Sequence, residues 1–293
     1  MTAKAKRASR KPATPSQVPT FSYQPTTDEH LFRVVDRYGD WTVYWQDEWQ
    51  VYLPAVNHVI STGFPKGQRF YEWLKNKSSD EVDHILKTAG ERGTKVHRAI
   101  SDLTDGKTVT IESKYKNDNG MFELISPDEW DCLISWMDWA KQFKPTLRMH
   151  ESAISHRLPD YAGTIDFLGD ITIDEGQKVS VDDKVVVMKQ MIKVTVLLDY
   201  KTGSGIYDDH KLQVASYAHG LDVKDYPDFT GILRVGTKHT KGYELKLWGY
   251  DKTQYHFQQF CNAYSIFEMN RADKWEPQIE LQPTSLSIKL PTK

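Results

Sequence analysis

Val194-Thr195-Val196-Leu197-Leu198-Asp199-Tyr200-Lys201-Thr202-Gly203 is the stretch that decides how this chain folds. A β-branched, apolar run ends in an acid, an aromatic residue and a lysine, and a turn follows. Asp199 and Lys201 are two apart, so on a strand they share one face, roughly 6.5–7 Å apart along it. That spacing lets an acid hold a divalent cation while the ammonium meets a water or a phosphate oxygen beside it. Asp/Glu-x-Lys recurs at Asp105, Glu112, Asp182, Asp209, Asp222 and Glu244, where a surface ion pair is the plain reading. Only the copy at Asp199 follows a buried-looking strand and precedes Thr202-Gly203. The pair then stands at a strand's open end, where ligands of α/β sheets gather. A surface ion pair is the alternative there too.

Upstream, Gly163-Thr164-Ile165-Asp166-Phe167-Leu168-Gly169 reads as a strand whose lone charge sits among apolar neighbours. A buried carboxylate must be paired, protonated or bound to a metal; a hydrogen-bonded acid at a strand end is the alternative. Two acids on neighbouring strands suit Mg²⁺ or Mn²⁺, hard cations that take oxygen ligands and share phosphate oxygens. His97 lies four residues after Gly93, on the edge of a helix's apolar face, as a boundary residue or a ligand. Gln213 and Tyr217, four apart, share one face of the helix after Lys201. They are boundary residues or the positioners of a nucleotide or of the lysine.

Around these residues the patterning predicts a mixed architecture. Short alternating segments at 31–35, 41–45 and 49–53, split by Gly39-Asp40 and Asp47-Glu48, read as an antiparallel meander. A helix is expected over 67–75. Ser78 and Glu81 form a capping box, followed at helical spacing by Val82, Ile85, Leu86, Ala89, Gly93, Val96, Ile100 and Leu103. Ser126, Pro127 and Glu129 open another helix, with Trp130, Leu133, Ile134, Met137 and Ala140 as its expected apolar face and Lys144-Pro145 as its end. Strands are expected at 147–154, 164–173, 178–188, 191–200, 231–236 and 243–250, and helices at 208–221 and 253–270. Helices and strands so mixed predict an α/β fold with a central mixed sheet flanked by helices. The expected units are a basic disordered tail over 1–20, a β/α addition over 21–78, and a core over 79–293 with a hairpin insertion near 174–192.

Composition narrows the classes. The 293 residues are 39% hydrophobic and 27% charged, and the longest apolar runs fall far short of the roughly 20 residues of a membrane span. No apolar segment follows the first basic residues, so no secretory leader is expected. The two cysteines, Cys132 and Cys261, cannot build a four-cysteine zinc or iron–sulfur site. A reduced intracellular setting is expected. Lys4, Lys6, Arg7, Arg10 and Lys11 stand without an acid in residues 1–20. That tail is a solubilising end, an arm that gathers phosphate by charge, or a mitochondrial transit segment, the last ranked lowest because it lacks an apolar face.

The order Gly93-x-x-x-His97, Gly163-Thr-Ile-Asp166, Asp199-Tyr-Lys201-Thr-Gly203, Gln213-x-x-x-Tyr217 resembles the RecB-like branch of the PD-(D/E)XK (restriction-endonuclease-like) nuclease superfamily. It is similar to the stand-alone exonucleases of phages and to the mitochondrial genome-maintenance exonuclease. The resemblance covers about 53–220 and includes Leu53-Pro54-Ala55-Val56 and 70–74. It implies that Asp166 and Asp199 are metal carboxylates, with the Tyr200 carbonyl and His97 beside them, and that one or two Mg²⁺ or Mn²⁺ ions bind. It implies that Lys201 activates the attacking water, that Gln213 and Tyr217 contact DNA or support Lys201, and that Thr202 and Glu151 belong to the same surroundings. Relatives with an iron–sulfur cluster carry four cysteines, and no nucleotide-binding Gly-x-x-x-x-Gly-Lys-Ser/Thr is present.

The implied activity is a divalent-metal-dependent DNA exonuclease, acting at single- or double-stranded ends in recombination, repair or replication. A single-strand-binding or recombination protein would be its companion, and the cytoplasm of a bacterial or phage-infected cell its setting, ahead of the mitochondrion; no membrane is involved. The rivals are a structure- or sequence-specific endonuclease on the same core and an inert DNA-binding module. Lys66, Arg69, Lys75 and Lys77 are the bases expected at the site's edge.

Overall fold

The computed structural model describes residues 17–19, 21–36, 42–117, 120–236, 242–270 and 281–283. Most of the expected basic tail, the Gly39-Asp40 turn and Trp41 lie outside the described residues. The expectation of disorder across 1–20 needs one correction, because β1 (Gln17–Pro19) is a strand.

The N-terminal meander has four strands in chain order, β2 (Phe21–Pro25), β3 (Leu31–Asp36), β4 (Thr42–Gln46) and β5 (Val51–Pro54). The first of these was not expected. Next comes α1 (Val56–Gly63), also unexpected, although Val56, Val59, Ile60 and Gly63 are buried at helical spacing. Gly63 is required there: a Cβ on it would fall 1.9 Å from the Ala263 carbonyl oxygen. Two helices, α2 (Gln68–Lys75) and α3 (Ser79–Thr104), follow. Ser78 Oγ accepts the Glu81 amide at 3.3 Å while a Glu81 carboxylate oxygen accepts the Ser78 amide at 2.9 Å, the reciprocal cap its sequence predicts.

A small hairpin, β6 (Lys114–Lys116) with β7 (Phe122–Leu124), leads to α4 (Pro127–Phe143). Ser126 and Glu129 cap α4 as Ser78 and Glu81 cap α3, and Lys144 closes it in the left-handed region at φ 48. Then come β8 (Thr146–His156), β9 (Tyr161–Ile173), β10 (Lys178–Val181), β11 (Lys184–Val187) and β12 (Ile192–Lys201). Asp182 and Asp183, with φ of 50 and 63, make the tight turn between β10 and β11. After β12 run α5 (Asp208–His219), β13 (Phe229–Val235), β14 (Tyr243–Trp248), α6 (Tyr250–Asn270) and β15 (Leu281–Pro283), which pairs with β1.

The central sheet has the order β11-β10-β14-β13-β12-β9-β8. The β12–β13 and β10–β14 pairs are parallel and the others antiparallel, so the sheet is mixed. Helices flank both faces, as an α/β fold requires. On one face α3 and α4 bury Val96, Ile100, Trp136 and Trp139 against Phe167, Leu198 and Tyr200. On the other, α1, α5 and α6 bury Ile60, Val214 and Phe260 against Ile165, Leu197 and Ile232. Since α1 shares that second core, the segment 21–78 is continuous with the packing of the rest. Among the described residues, no helix is long and apolar enough to cross a membrane.

Two expected faces are corrected. On α4 the buried side runs through Cys132, Leu133, Trp136, Trp139 and Phe143, while Ile134 and Met137 are exposed; three large aromatics choose the side that fills the core. On α3 only the second half packs, and Ile85 and Leu86 are exposed.

Buried Glu129 caps α4 and also sits 2.9 Å from Lys95 Nζ, a buried lysine of α3 whose other partner is Glu123 at 3.2 Å. Breaking a buried pair strands a charge. Glu129→Ala is therefore expected to cost about 3 kcal/mol, seen as a lower urea midpoint at unchanged slope. A loss below about 1 kcal/mol would show that the pair behaves as an exposed one.

Candidate functional site

Pairing between β9 and β12 ends at Leu198↔Phe167. Two residues further along β12 the amide of Tyr200 donates to Asp166 Oδ2, at 2.6 Å, instead of to a main-chain carbonyl. A carboxylate thus enters the ladder and the strands part. The packing changes sides at the same point. Ile165 belongs to the core of α1, α5 and α6, and Phe167 to that of α3 and α4, although residues two apart on a regular strand share a face.

The sequence brings three more groups to this gap. From α3, His97 Nδ1 lies 3.3 Å from Asp166 Oδ1, and Nε2 lies 3.0 Å from the Tyr200 carbonyl oxygen. From β8, Glu151 adopts the left-handed region at φ 46, a strained conformation for a residue with a Cβ. His97, Glu151 and Asp166 each offer a ligand atom, all within 4.8 Å of one another. On the opposite face of β12, Asp199 Oδ2 and Lys201 Nζ are 2.6 Å apart. Lys201 donates to Gln213 Oε1 at 2.9 Å, and Gln213 Nε2 donates to the Tyr217 hydroxyl at 3.0 Å.

Most of the expected residues are therefore together, in two groups rather than one. Asp199 is not in the tight group of three. It stands with Lys201, whose Nζ lies 2.6 Å from its buried Oδ2. Glu151, whose place was loosely assigned from sequence, is in that group. Gln213 and Tyr217 are both buried, and through these bonds they support the lysine. Gly163 makes room for this brace: a Cβ there would fall 2.5 Å from Tyr217 Cε1. Thr202 takes part through its carbonyl, which accepts Arg92 Nη2 at 2.7 Å.

Arg92 and Arg234, which lies 3.5 Å from the Gly203 carbonyl, escaped the sequence reading. Both act on main-chain atoms far away in the chain, and no short motif records that. Beside Lys201 opens a cleft of about 240 Å³ between α1 and α5, lined also by Ser61, Lys66, Asp209, His210 and Gln213. Of the bases expected at the edge, Lys66 reaches the cleft and pairs with Asp209 at 2.8 Å. Lys75 is exposed, and Lys77 lies 5.9 Å over the Trp73 ring. The side chain of Arg69 lies outside the described residues.

Crowded charge shifts the titrations. Burial, then the Asp166 charge, pushes Glu151 up to about 7. Burial raises Asp199 to about 6, against the pull of Lys201. Burial works against the His97 cation, but Asp166 outweighs it and raises the ring to about 9. Burial works against the Asp166 charge as well, and His97 with the Tyr200 amide holds it below its ordinary value. At neutral pH a protonated His97 thus bridges Asp166 and the Tyr200 carbonyl.

The donor set of one imidazole and two carboxylates, without a thiolate, fits Mg²⁺ or Mn²⁺. Compared with known protein families and with curated proteins, the chain matches none.

Two outcomes follow. Glu151 and Asp199 titrate in the fold above their ordinary 4.5 and 3.8. What they add to stability is complete at low pH and is lost as pH rises through 6 and 7. His97 behaves in the same sense between 6.5 and about 9. Without divalent cations, thermal stability should fall from about pH 5 to pH 9, and Mn²⁺ should restore it increasingly as pH rises. Glu151→Gln should gain about 1–2 kcal/mol at pH 8 without cation and lose most of the Mn²⁺-induced rise in Tm. An unchanged rise would remove Glu151 from the cation site. Separately, Gly163→Ala should cost about 1–3 kcal/mol by overpacking against Tyr217, checked by denaturant unfolding.

Proposed function

We propose that this chain is a divalent-metal-dependent deoxyribonuclease, an exonuclease that hydrolyses phosphodiesters from DNA ends on a PD-(D/E)XK-type core of the RecB-like branch. The observation that carries the reading is the convergence, at one parting of the sheet, of His97, Glu151 and Asp166 with the Asp199–Lys201 pair on the next strand. One helix and three strands, α3, β8, β9 and β12, deliver these groups, and the acids among them repel one another. Such an arrangement is stable only with protons or a cation between the acids.

Phosphodiester hydrolysis needs an in-line water, neutralised phosphate oxygens and help for the departing oxygen. His97, Glu151 and Asp166 would hold a divalent cation, which when bound would supply charge to the phosphate and lower the pKa of a water. The protein's own residues do the rest. Lys201 holds a fixed positive charge at the mouth of the cleft, where charge gathers on phosphorus. Gln213, braced by Tyr217, holds that ammonium from one side while Asp199 pairs with it from the other, and so its position does not have to be found during reaction. Arg92 and Arg234 grip the carbonyls of Thr202 and Gly203 and fix the loop beyond the lysine. Lys66, paired with Asp209, adds a second cation in the cleft.

The test uses end-labelled linear single- and double-stranded DNA beside covalently closed circles, with Mg²⁺ or Mn²⁺. The expected result is cation-dependent loss of linear DNA alone, reduced on the order of 10²–10³-fold in Lys201→Ala, with the variant's thermal unfolding measured as a folding control. Cut circles would make the enzyme an endonuclease. DNA bound but never cleaved by the folded wild type would leave only a binding module.

A further inference from the structure

The short hairpin of β6 and β7 sorts its side chains between two faces. Tyr115 and Glu123, directly opposite each other, turn toward α3. The Tyr115 hydroxyl donates to Asp102 Oδ2 at 2.9 Å. Glu123 lies 3.2 Å from Lys95 Nζ and accepts Asn117 Nδ2 at 2.8 Å. The remaining cross-strand pairs are Lys114 with Leu124 and Lys116 with Phe122, and all four residues are exposed. Phe122 is 64% exposed and Leu124 55%. The one acid of the two strands is thus turned in, while both lysines and both large apolar residues are turned out.

Two strands of three residues are marginal by themselves, so the outer face is held in place from α3. Tyr115 and Glu123 fasten it there, and Arg98 donates to the Lys116 carbonyl. Arg98 also fixes where the hairpin stands. It is exposed, it follows His97 directly on α3, and it is close enough for its charge to act on Glu151. One cation therefore joins the hairpin to the group of His97, Glu151 and Asp166.

An exposed ring beside ammonium groups suits an unpaired nucleic-acid strand, whose bases stack on the ring while its phosphates meet the cations. Lys116 Nζ lies 5.4 Å from the centroid of the Phe122 ring, so both are within reach of one nucleotide. An apolar protein face set on Phe122 and Leu124 would strip water from Lys114 and Lys116 without pairing them, which costs free energy. A polyanion pairs with both.

We propose that single-stranded DNA lies across the outer face of the β6–β7 hairpin. A base stacks on Phe122, and phosphates meet Lys114, Lys116 and Arg98 on the way to the cation site. This deepens the nuclease reading and rests on it for the identity of the ligand. It assigns an unpaired strand as what the site receives.

Binding of a labelled oligothymidine of about 20 nucleotides, longer than the stretch one fold covers, would be followed by fluorescence anisotropy. The full chain carrying Lys201→Ala, with Mg²⁺, slows cleavage during the measurement. Phe122→Leu keeps apolar bulk and removes the ring, and should weaken binding on the order of 10-fold. Phe122→Trp should bind as before. Lys116→Gln should flatten the dependence of log affinity on log salt by about 0.7, the share of one single-strand phosphate contact. All three sit at exposed positions and should keep the thermal unfolding of their parent. As a second readout that needs no hairpin variant, an oligonucleotide bearing 4-thiothymine should photocross-link to the hairpin. Parent-like binding by every variant, with no cross-link in the hairpin, would overturn the platform and leave the nuclease reading standing. Equal losses in Phe122→Leu and Phe122→Trp would overturn stacking on Phe122, and so the proposal. A folded wild type that cleaves duplex ends and binds no single strand would overturn the platform alone. One that binds and cleaves no DNA would overturn both.

Discussion

Asp166 accepts the amide of Tyr200 at 2.6 Å, and the rest of the site depends on that bond. A strand amide normally finds a carbonyl across the ladder. Here a side-chain oxygen takes its place, so β9 and β12 cannot remain paired past Leu198 and Phe167. The opening lets the His97 ring reach both Asp166 and the Tyr200 carbonyl from α3. The bond also lowers the cost of burying the charge of Asp166, since a carboxylate held by an amide and a cation stays ionised where an isolated one would not. Without it, the gap would close into sheet and the three ligand atoms would have no common centre.

The alternation of β12 then separates two kinds of chemistry by the thickness of a strand. Tyr200 turns its ring into the α3 and α4 core while its carbonyl meets His97. Asp199 and Lys201 turn to the other face, where α5 supplies Gln213 and Tyr217. Acids that answer to a cation and a lysine that answers to an anion are thus neighbours without one neutralising the other completely. The neutral carboxamide of Gln213 matters for this. It takes one of the three ammonium hydrogens at 2.9 Å, so Lys201 is not surrendered wholly to Asp199.

Much of this was legible in the sequence because much of it is local. Both serine–glutamate caps, the β10–β11 hairpin, the alternating strands of the sheet and the apolar end of β12 depend on residues within a few positions of each other. Asp166 stood out as a charge among apolar neighbours, Asp199 and Lys201 by their spacing at the end of an apolar strand, and His97 by its place four residues after Gly93. What escaped was set by distance or by size. α1 spans eight residues without a side-chain cap, too short to announce itself. The buried side of α4 was missed by part of a turn, because Trp136, Trp139 and Phe143 compete with Ile134 and Met137 for the core and the larger rings prevail. Glu151 enters the site through a left-handed backbone that no residue type encodes, and Arg92 and Arg234 act on carbonyls more than thirty positions away.

The same crowding explains why so much of the molecule is built around a few strained groups. Glu151, Asp199 and His97 all titrate away from their ordinary values in the direction that retains a proton. In each case the fold stabilises the protonated form, and so the site as it stands is held together by hydrogen ions where a doubly charged ion would serve better. One proton can screen one pair of acids. Under the proposed function, a divalent cation would be held by Asp166, Glu151 and His97 together. The two flanking cores, with Trp139 and Leu198 on one side and Phe260 and Ile232 on the other, are fully buried. They supply the rigidity that keeps like charges at this spacing when neither ion is present. A cation bound there would compete with these protons, so its hold on the site would strengthen as pH rises, and the three ligand atoms are already within 4.8 Å of one another.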